Sequence, residues 1–225
     1  MRKLCCLPVV ARTLAGIHRV HGAHVNRKRP LVPADLHVLV ASYGSSPDYD
    51  DLLFLMLTLV GFDQLLHLAE LCAPDDNRLF DVRRSMKCFT VTVESRSISI
   101  LLPAHKVDKF FSGSHLLICP DESPIHPHQY LLWYLTLRDR LFPWHPELWL
   151  RADSSVPTRS WFTSHLRQHF DDQVSRHSMR AGGATALAAA GVPDDRICTL
   201  GRWSSDSYQL YIQKHPLLLL SHLAS

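Results

Sequence analysis

Apolar and polar positions divide the chain into helical segments on either side of a short stretch of strands. Residues 52–60 are almost wholly apolar, which is typical of a helix that is buried on all sides. Gly61 interrupts this helix, and the pattern then continues as helix. Four further segments carry the apolar spacing or the capping signals of helices: 33–42, 62–71, 127–141 and 158–170.

The periodicity changes in the middle of the chain. Residues there alternate between apolar and polar or are β-branched, which predicts strands at 88–93, 97–102 and 115–119. These strands make a small antiparallel sheet. The predicted fold class is therefore α+β and mainly α-helical, a helical bundle with a small three-stranded antiparallel sheet.

The richest set of helix start and stop signals lies toward the end of the chain. An Ala-rich helix begins at His177 and stops at Gly191. Pro193, followed by two aspartates, opens a second helix, which Gly201 ends. The Ser-Ser-Asp sequence that comes next can cap a third helix, on which Tyr211 lies.

Two features of the Ala-rich helix exceed what packing requires. His177 and Arg180 lie three residues apart at the helix start, so both side chains face the same way beside the first N–H groups, an arrangement suited to an anion. Gly182 and Gly183 each cost about 1 kcal/mol against Ala inside a helix, which indicates that something approaches the backbone closely. The alternative is a small-residue helix packed in a core, with His and Arg as ordinary surface residues.

The composition is that of an ordinary globular protein. The 225 residues suffice for one well-packed domain and a fragment of another, and 46% hydrophobic with 20% charged residues is a typical balance. A net charge of +3 permits nucleic-acid binding without requiring it. Function must therefore be argued from particular residues.

Cysteine and histidine usage argues against a disulfide framework and against a metal site. The six cysteines are scattered without a Cys-x-x-Cys pair, which indicates reduced intracellular thiols. His18, His21 and His24 recur every three residues, but no cysteine or carboxylate completes a ligand set. The first apolar run contains Pro8 and ends at Arg12, unlike a signal peptide, and no run approaches a membrane span.

A wider order of residues resembles a known family. The chain contains a Lys near a strand end, a His-x-x-Arg pair, a Gly-x-Trp and a Tyr, in that order: Lys106, His177 with Arg180, Gly201 with Trp203, and Tyr211. This order resembles the catalytic domain of tyrosine recombinases, the phage-integrase family. The sequence around these residues is most similar to recombinases of fungal mobile elements. The resemblance implies a catalytic domain at 30–225, preceded at 1–29 by a remnant of a helical DNA-clamping domain and its basic linker.

The resemblance implies a role for each of these side chains. Tyr211 would attack a DNA phosphate to form a phosphotyrosyl link and release a 5′ hydroxyl, with no metal or other cofactor. Arg180 would bind a non-bridging oxygen, and His177 would donate to it or handle the Tyr proton. Lys106 would protonate the leaving oxygen, and Trp203, where the family has His or Trp, offers an indole N–H donor.

One position departs from the family pattern. The family has Leu-Arg-x-x-Glu-Leu where this chain has Leu-His-Leu-Ala-Glu-Leu, so His67 replaces the first of two arginines that grip the phosphate. Histidine offers one directed donor and is charged only part of the time, whereas arginine offers a permanently charged fork. Removing one preorganised donor slows a reaction about a hundred- to a thousand-fold, so we expect impaired catalysis, as in a pseudoenzyme. Glu70, in the same segment, resembles a buried family residue with a structural role.

Basic and apolar segments suggest partners. Arg27, Lys28 and Arg29 form a basic linker, and with Arg202 they are the residues expected to contact double-stranded DNA; the alternative for the linker is a solvated connector. The apolar tail 216–221 resembles the family segment that docks on a neighbouring subunit, which implies a homo-oligomer on DNA. The alternative is a tail that folds back on its own domain.

The leading interpretation is site-specific DNA recombination or integration by a degenerate recombinase-type domain from a mobile element, acting in the nucleus. The main alternative is a remnant without catalysis that binds DNA or another protein. A third hypothesis is a phosphatase-like hydrolase built around His177 and Arg180. Tyr208 is the reserve nucleophile should Tyr211 not serve, although it could equally be a packing residue.

Overall fold

The structure is a computed structural model, and it describes most of the chain. The described residues are Thr13, 28–103, 113–170, 172–175, 177–203 and Tyr208. Arg27, Lys106 and Tyr211, together with the tail 216–221, lie outside them. Within the described residues, no helix combines the length and the apolar character needed to cross a membrane.

The described residues form helices around a small sheet. The helices are α1 (Pro33–Tyr43), α2 (Tyr49–Asp63), α3 (Leu68–Leu71), α4 (Pro127–Leu141), α5 (Arg159–His169), α6 (Ser178–Ala189) and α7 (Asp194–Gly201). The strands are β1 (Thr92–Glu94), β2 (Ser97–Leu102) and β3 (Ser114–Ile118), antiparallel in the order β1-β2-β3. This confirms the predicted fold class. In the described part of the chain, three short 3₁₀ turns precede the sheet, at Asn77–Leu79, Val82–Arg84 and Cys88–Thr90.

Helix α2 lies at the centre of the core. The Asp48 carboxylate caps it by accepting hydrogen bonds from the backbone N–H groups of Asp50 and Asp51. Every residue from 52 to 61 is buried, as the unbroken apolar run predicts. The helix packs against α1, α4 and α6, so it links the N-terminal part of the described chain to the segment that carries the proposed catalytic residues.

The largest differences from the predicted element boundaries are at the end of α2 and at the start of β1. Helix α2 continues through Gly61, ends at Asp63 and does not run on to residue 71; Leu65 then adopts a left-handed conformation with φ 51°. The first strand begins at Thr92 and not at residue 88. Residues 88–90 form a 3₁₀ turn instead, because the N–H of Cys88 donates to the carbonyl oxygen of Pro146 and so holds this segment against the loop that contains Pro146.

The two central glycines of α6 lie against backbone, as predicted. A Cβ on Gly182 would lie 2.1 Å from the carbonyl oxygen of Leu31, and a Cβ on Gly183 would lie 2.1 Å from that of Phe62. Ser178, at the start of the helix, donates its Oγ hydrogen to the carbonyl oxygen of Arg29 at 2.6 Å. Helix α6 is therefore seated between the end of α2 and the segment that precedes α1.

We expect Gly182→Ala to lower the free energy of unfolding by about 1–3 kcal/mol, because the new methyl group meets a backbone carbonyl that cannot turn aside. Urea denaturation of the full chain measures this. Ala189→Gly, on the exposed end of the same helix, is the control, and it should cost about 1 kcal/mol through helix propensity alone. A Gly182→Ala protein that is more stable than wild type would contradict the close packing of α6.

Candidate active site

The turn after α2 is the first part of the candidate site. Leu65 has φ 51°, a conformation that costs a residue with a Cβ about 1–2 kcal/mol. The N–H of Leu66 donates to the carbonyl oxygen of Gly61 at 2.9 Å and closes the turn. The Leu65 side chain is fully buried with Ala184 and Ile197, so it joins the turn to α6 and α7. Burial of that side chain offsets the strain of its backbone.

Arg180 joins three segments of the chain. Its Nη1 donates to the carbonyl oxygen of Leu65 and its Nη2 to that of Gly201, both at 2.5 Å. The guanidinium carbon lies 4.2 Å from the centre of the Trp203 ring, within cation–π range. Only 4% of the residue is exposed. In this structure the guanidinium therefore binds backbone carbonyls, and its role in gripping a phosphate stays a prediction.

Arg202 also points into the fold. It ends α7 in a left-handed conformation with φ 56°, and its side chain is only 11% exposed. Its Nη2 donates to the carbonyl oxygens of Gln64 at 3.3 Å and Leu65 at 3.2 Å, and its Nη1 donates to that of Leu200 at 3.0 Å. Burial lowers the pKa of the Arg202 guanidinium, and the Glu70 carboxylate opposes that shift. A direct contact with DNA would require this side chain to leave its partners, so that role also stays a prediction.

Arg180 and Arg202 form an arginine network through the carbonyl oxygen of Leu65, which accepts from both. His67 lies next to this arginine network. Its backbone N–H donates to Glu70 Oε2 at 2.8 Å, which caps the short helix α3. The same carboxylate oxygen lies 3.7 Å from Nη2 of Arg202. Glu70 is 8% exposed at its side chain, which fits the structural role that the resemblance implies. The residue that replaces the expected arginine is therefore tied to Arg202 through one carboxylate.

His177 and Arg180 differ in exposure. His177 precedes the first turn of α6 and is exposed, whereas Arg180 is buried one turn later. The N–H of His177 donates to Ser175 Oγ at 3.4 Å. Helical spacing predicts that both side chains face the same anion. In the structure, of these two residues only His177 is open to solvent.

Trp203 folds back over the end of α7. A Cβ on Gly201 would overlap the indole ring, with ring carbons as near as 1.8 Å, so the packing of Trp203 needs glycine at this position. Tyr208 lies near the same ring, with 6.2 Å between ring centres, and its hydroxyl donates to Asp194 Oδ2 at 2.9 Å. Tyr208 is buried, which favours its interpretation as a packing residue over that of a nucleophile.

The described cations of the linker pair with carboxylates. Arg29 binds Asp35 through both Nη atoms, at 2.6 and 3.2 Å, and Lys28 lies 3.5 Å from Asp172. The Arg29 guanidinium also lies over the Phe170 ring, at 5.5 Å from its centre. These contacts fix the segment before α1 onto the domain. Binding of DNA by the linker remains a prediction.

A separate pocket beside α3 offers little chemistry. It encloses about 520 Å³, including the space at its mouth, and shares only Glu70 with the arginine network; its walls include Leu71, Cys72, Phe80, Trp149 and Arg159. Burial raises the pKa of the Cys72 thiol, so a reactive thiolate is disfavoured there. Among the described residues, no three His, Cys, Asp or Glu side chains lie close enough together to hold a metal ion.

The sequence did not identify the backbone acceptors of this site. Gln64 and Leu65 contribute only carbonyl oxygens, which any residue type would supply, so no motif marks them. A cation beside Glu70 could be predicted in principle, because a buried carboxylate requires a cation, and Arg202 is that cation in the structure.

Comparisons with known proteins identify the fold. No protein-family model matches the chain, and no curated protein matches it. Solved structures do match. The XerA recombinase has a TM-score of 0.63 at 15% identity, covering 88% of this chain and 65% of that one. The XerH site-specific recombinase, in a post-cleavage complex with its palindromic difH substrate, has a TM-score of 0.61 at 13% identity, covering 88% of this chain.

A third match is the Tn1549 transposon integrase in complex with circular intermediate DNA. It has a TM-score of 0.55 at 15% identity, covering 93% of this chain and 68% of that one. The chain spans about half the length of the XerH chain, of which 53% is covered. At these identities the likeness concerns the fold, and the described residues have the fold of the tyrosine-recombinase catalytic domain.

We expect Arg180→Lys to lower the free energy of unfolding by about 2–4 kcal/mol, because an ammonium group cannot reach the Leu65 and Gly201 carbonyls together. Chemical denaturation of the full chain measures this. Arg167→Lys, at an exposed position on α5, is the matched control and should change stability by less than about 0.5 kcal/mol. Equal stability of Arg180→Lys and wild type would show that the carbonyl contacts contribute nothing to folding.

Proposed function

We propose that this chain is a tyrosine recombinase-type domain that breaks and rejoins double-stranded DNA through a phosphotyrosyl link at Tyr211. The observation that carries the proposal is the convergence of His67, Arg180 and Trp203. Residues 67, 180 and 203 are distant in sequence, yet the turn after α2, α6 and the end of α7 meet through Leu65, Glu70 and the two arginines. Meeting at one place is what shared chemistry on one phosphate requires.

The proposed reaction needs no cofactor. The Tyr211 oxygen forms a bond to phosphorus while the bond from phosphorus to the 5′ oxygen breaks, and Lys106 gives its proton to that oxygen. Arg180 stabilises the negative charge that develops on the phosphate, and Trp203 donates its indole N–H. His177, open to solvent at the start of α6, donates to the phosphate or receives the Tyr211 proton.

Catalysis by this domain is impaired in our proposal because His67 occupies the place of the first arginine. An imidazole presents one directed donor and carries a charge only part of the time, whereas a guanidinium binds two oxygens together. The contacts of Glu70 and Arg202 keep the turn in place despite the substitution. The proposal is therefore a scaffold that folds and binds DNA but reacts slowly.

The partners and origin follow from the same proposal. The XerH recombinase structure is bound to its palindromic difH substrate and the Tn1549 integrase structure to circular intermediate DNA, which supports double-stranded DNA as the partner of this chain. We place residues 30–225 in the catalytic domain, with Arg27, Lys28 and Arg29 of the preceding linker on the DNA backbone. The tail 216–221 would join copies on DNA, and the source would be a fungal mobile element whose product acts in the nucleus.

One observation favours the second candidate, a remnant that binds DNA or another protein without catalysis. The Arg180 guanidinium donates through both Nη atoms to backbone carbonyls beneath Trp203. In that arrangement the arginine stabilises the fold, and the fold would persist after catalysis was lost. A covalent assay separates the two candidates.

We expect a nicked DNA substrate, taken from the ends of the element that encodes the protein, to trap a covalent protein–DNA species. His67→Arg should form it about a hundred- to a thousand-fold faster than wild type, because the first of the two phosphate-binding arginines is restored. Tyr211→Phe should form none, since it has no nucleophilic oxygen. Rates are read from denaturing gels in the presence of a chelator.

Tyr208→Phe is the matched control for the nucleophile. Its hydroxyl binds Asp194, so its loss should leave the covalent species in place. A wild-type rate equal to that of His67→Arg would overturn the claim of impairment. Absence of the species in every variant, on DNA that the protein binds, would contradict the recombinase proposal and support the remnant without catalysis.

A further inference from the structure

We propose that Arg202 is a positioning residue that holds the turn carrying His67 in register with Arg180. Its consequence for DNA cleavage rests on the proposed function above. Its effect on the turn does not, because that effect follows from contacts among the described residues alone. The sequence predicts that Arg202 contacts DNA, whereas its contacts in the fold indicate that it positions the turn.

The guanidinium of Arg202 bridges two turns that are far apart in sequence. Nη1 donates to the carbonyl oxygen of Leu200 on its own turn, and Nη2 donates to those of Gln64 and Leu65 on the other. Only arginine combines several donors in a planar fork with a reach of this length. A lysine could retain the charge but could not satisfy all three carbonyls.

Both ends of the bridge have left-handed backbone, at φ 51° for Leu65 and φ 56° for Arg202. A residue with a Cβ adopts this conformation only when its surroundings hold it there. The left-handed conformation of Leu65 ends the helical path of the chain after Asp63. The contacts of Arg202 therefore help to hold the turn in its disfavoured conformation.

Arg202 reaches each proposed catalytic partner through a shared acceptor. Glu70 Oε2 accepts from the N–H of His67 at 2.8 Å and lies 3.7 Å from Nη2 of Arg202. The carbonyl oxygen of Leu65 accepts from both Arg202 and Arg180. A shift of the Arg202 guanidinium would therefore move the backbone of His67 and the position of Arg180 together.

The contacts favour positioning over direct binding of DNA. The side chain is 11% exposed, and its guanidinium already donates to three backbone carbonyl oxygens of the fold. Arg196, on the same helix, is exposed and serves as the matched control. Replacing Arg196 removes one positive charge from the same region without touching the turn.

The first experiment measures the turn itself by amide hydrogen exchange of the full chain. In Arg202→Met we expect the amides of Leu66 and His67 to exchange at least about tenfold faster than in wild type, because loss of the charge-assisted bonds frees the turn. Amides of β2 should be unchanged, and Arg196→Met should match wild type throughout. Where Arg202→Met does not fold, Arg202→Lys gives the same comparison.

Equal exchange at residues 66 and 67 in wild type and in the Arg202 variants would overturn the inference. Faster exchange throughout, including β2, would also overturn it, because Arg202 would then serve general stability. This result does not depend on catalysis. It decides the role of Arg202 in the turn even where no variant cleaves DNA and the proposed function fails.

The second experiment measures covalent trapping on nicked DNA in the His67→Arg protein, where the signal should be highest. Adding Arg202→Met should slow trapping at saturating DNA by about tenfold to a hundredfold, because small misplacement of reacting groups is costly. The DNA concentration at half-saturation should stay the same, and adding Arg196→Met should leave the rate unchanged. Adding Arg202→Lys should give an intermediate rate.

A weaker affinity with an unchanged saturating rate would overturn the positioning role and assign Arg202 to direct DNA contact. Equal rates for the His67→Arg protein with and without Arg202→Met would overturn the catalytic consequence. Rescue of trapping by Arg202→Lys to the full rate would also count against the inference, because charge alone would then suffice.

Discussion

The carbonyl oxygen of Leu65 is the atom on which the candidate site depends. It accepts hydrogen bonds from Arg180 and from Arg202, residues that lie 115 and 137 positions further along the chain. This oxygen is available because the chain leaves the helical path after Asp63 and turns left-handed at Leu65. The buried Leu65 side chain and the two charge-assisted bonds offset the strain of the turn. The strained turn and the two arginines are thus parts of one arrangement, in which one carbonyl oxygen of the turn accepts from both guanidinium groups.

The same requirement accounts for the glycine pair in α6. For Arg180 to reach Leu65, the helix must approach the end of α2 more closely than a Cβ allows, and Gly183 touches the carbonyl of Phe62. Gly182 makes the equivalent approach to Leu31, which seats the segment before α1. Each glycine weakens the helix by about 1 kcal/mol, a cost opposed by the contacts that the approach permits. A local weakness of α6 is in this way linked to the geometry of the site.

Sequence periodicity predicted the elements whose burial is regular. The unbroken apolar run of α2, the spacing of α4 and α5 and the alternation of β2 all correspond to observed elements. The break after Asp63 could not be predicted, because residues 64–66 include neither glycine nor proline and the apolar pattern continues through them. The contacts that hold the chain in this turn come from Arg180 on α6 and Arg202 at the end of α7, far along the sequence. For the same reason, helical spacing put Arg180 beside His177 but could not reveal that Leu65, Gly201 and Trp203 enclose it.

The charges around the buried arginines affect how well a histidine at residue 67 can substitute for an arginine. Gly201 ends α7, and Leu65 lies just past the end of α2, so both carbonyls that Arg180 binds belong to helix ends with partial negative charge. A phosphate that approached Arg180 would meet those negative ends as well as the guanidinium. In the proposed function these carbonyls would reduce the attraction of Arg180 for a phosphate, and Arg202 is already engaged with Glu70 and the carbonyls. In the proposed function, an imidazole at residue 67 adds less positive charge to this balance than the arginine of the family pattern would, because an imidazole is charged only part of the time. On that proposal, histidine at residue 67 would weaken the attraction of the whole site for a phosphate, beyond the loss of a single hydrogen-bond donor.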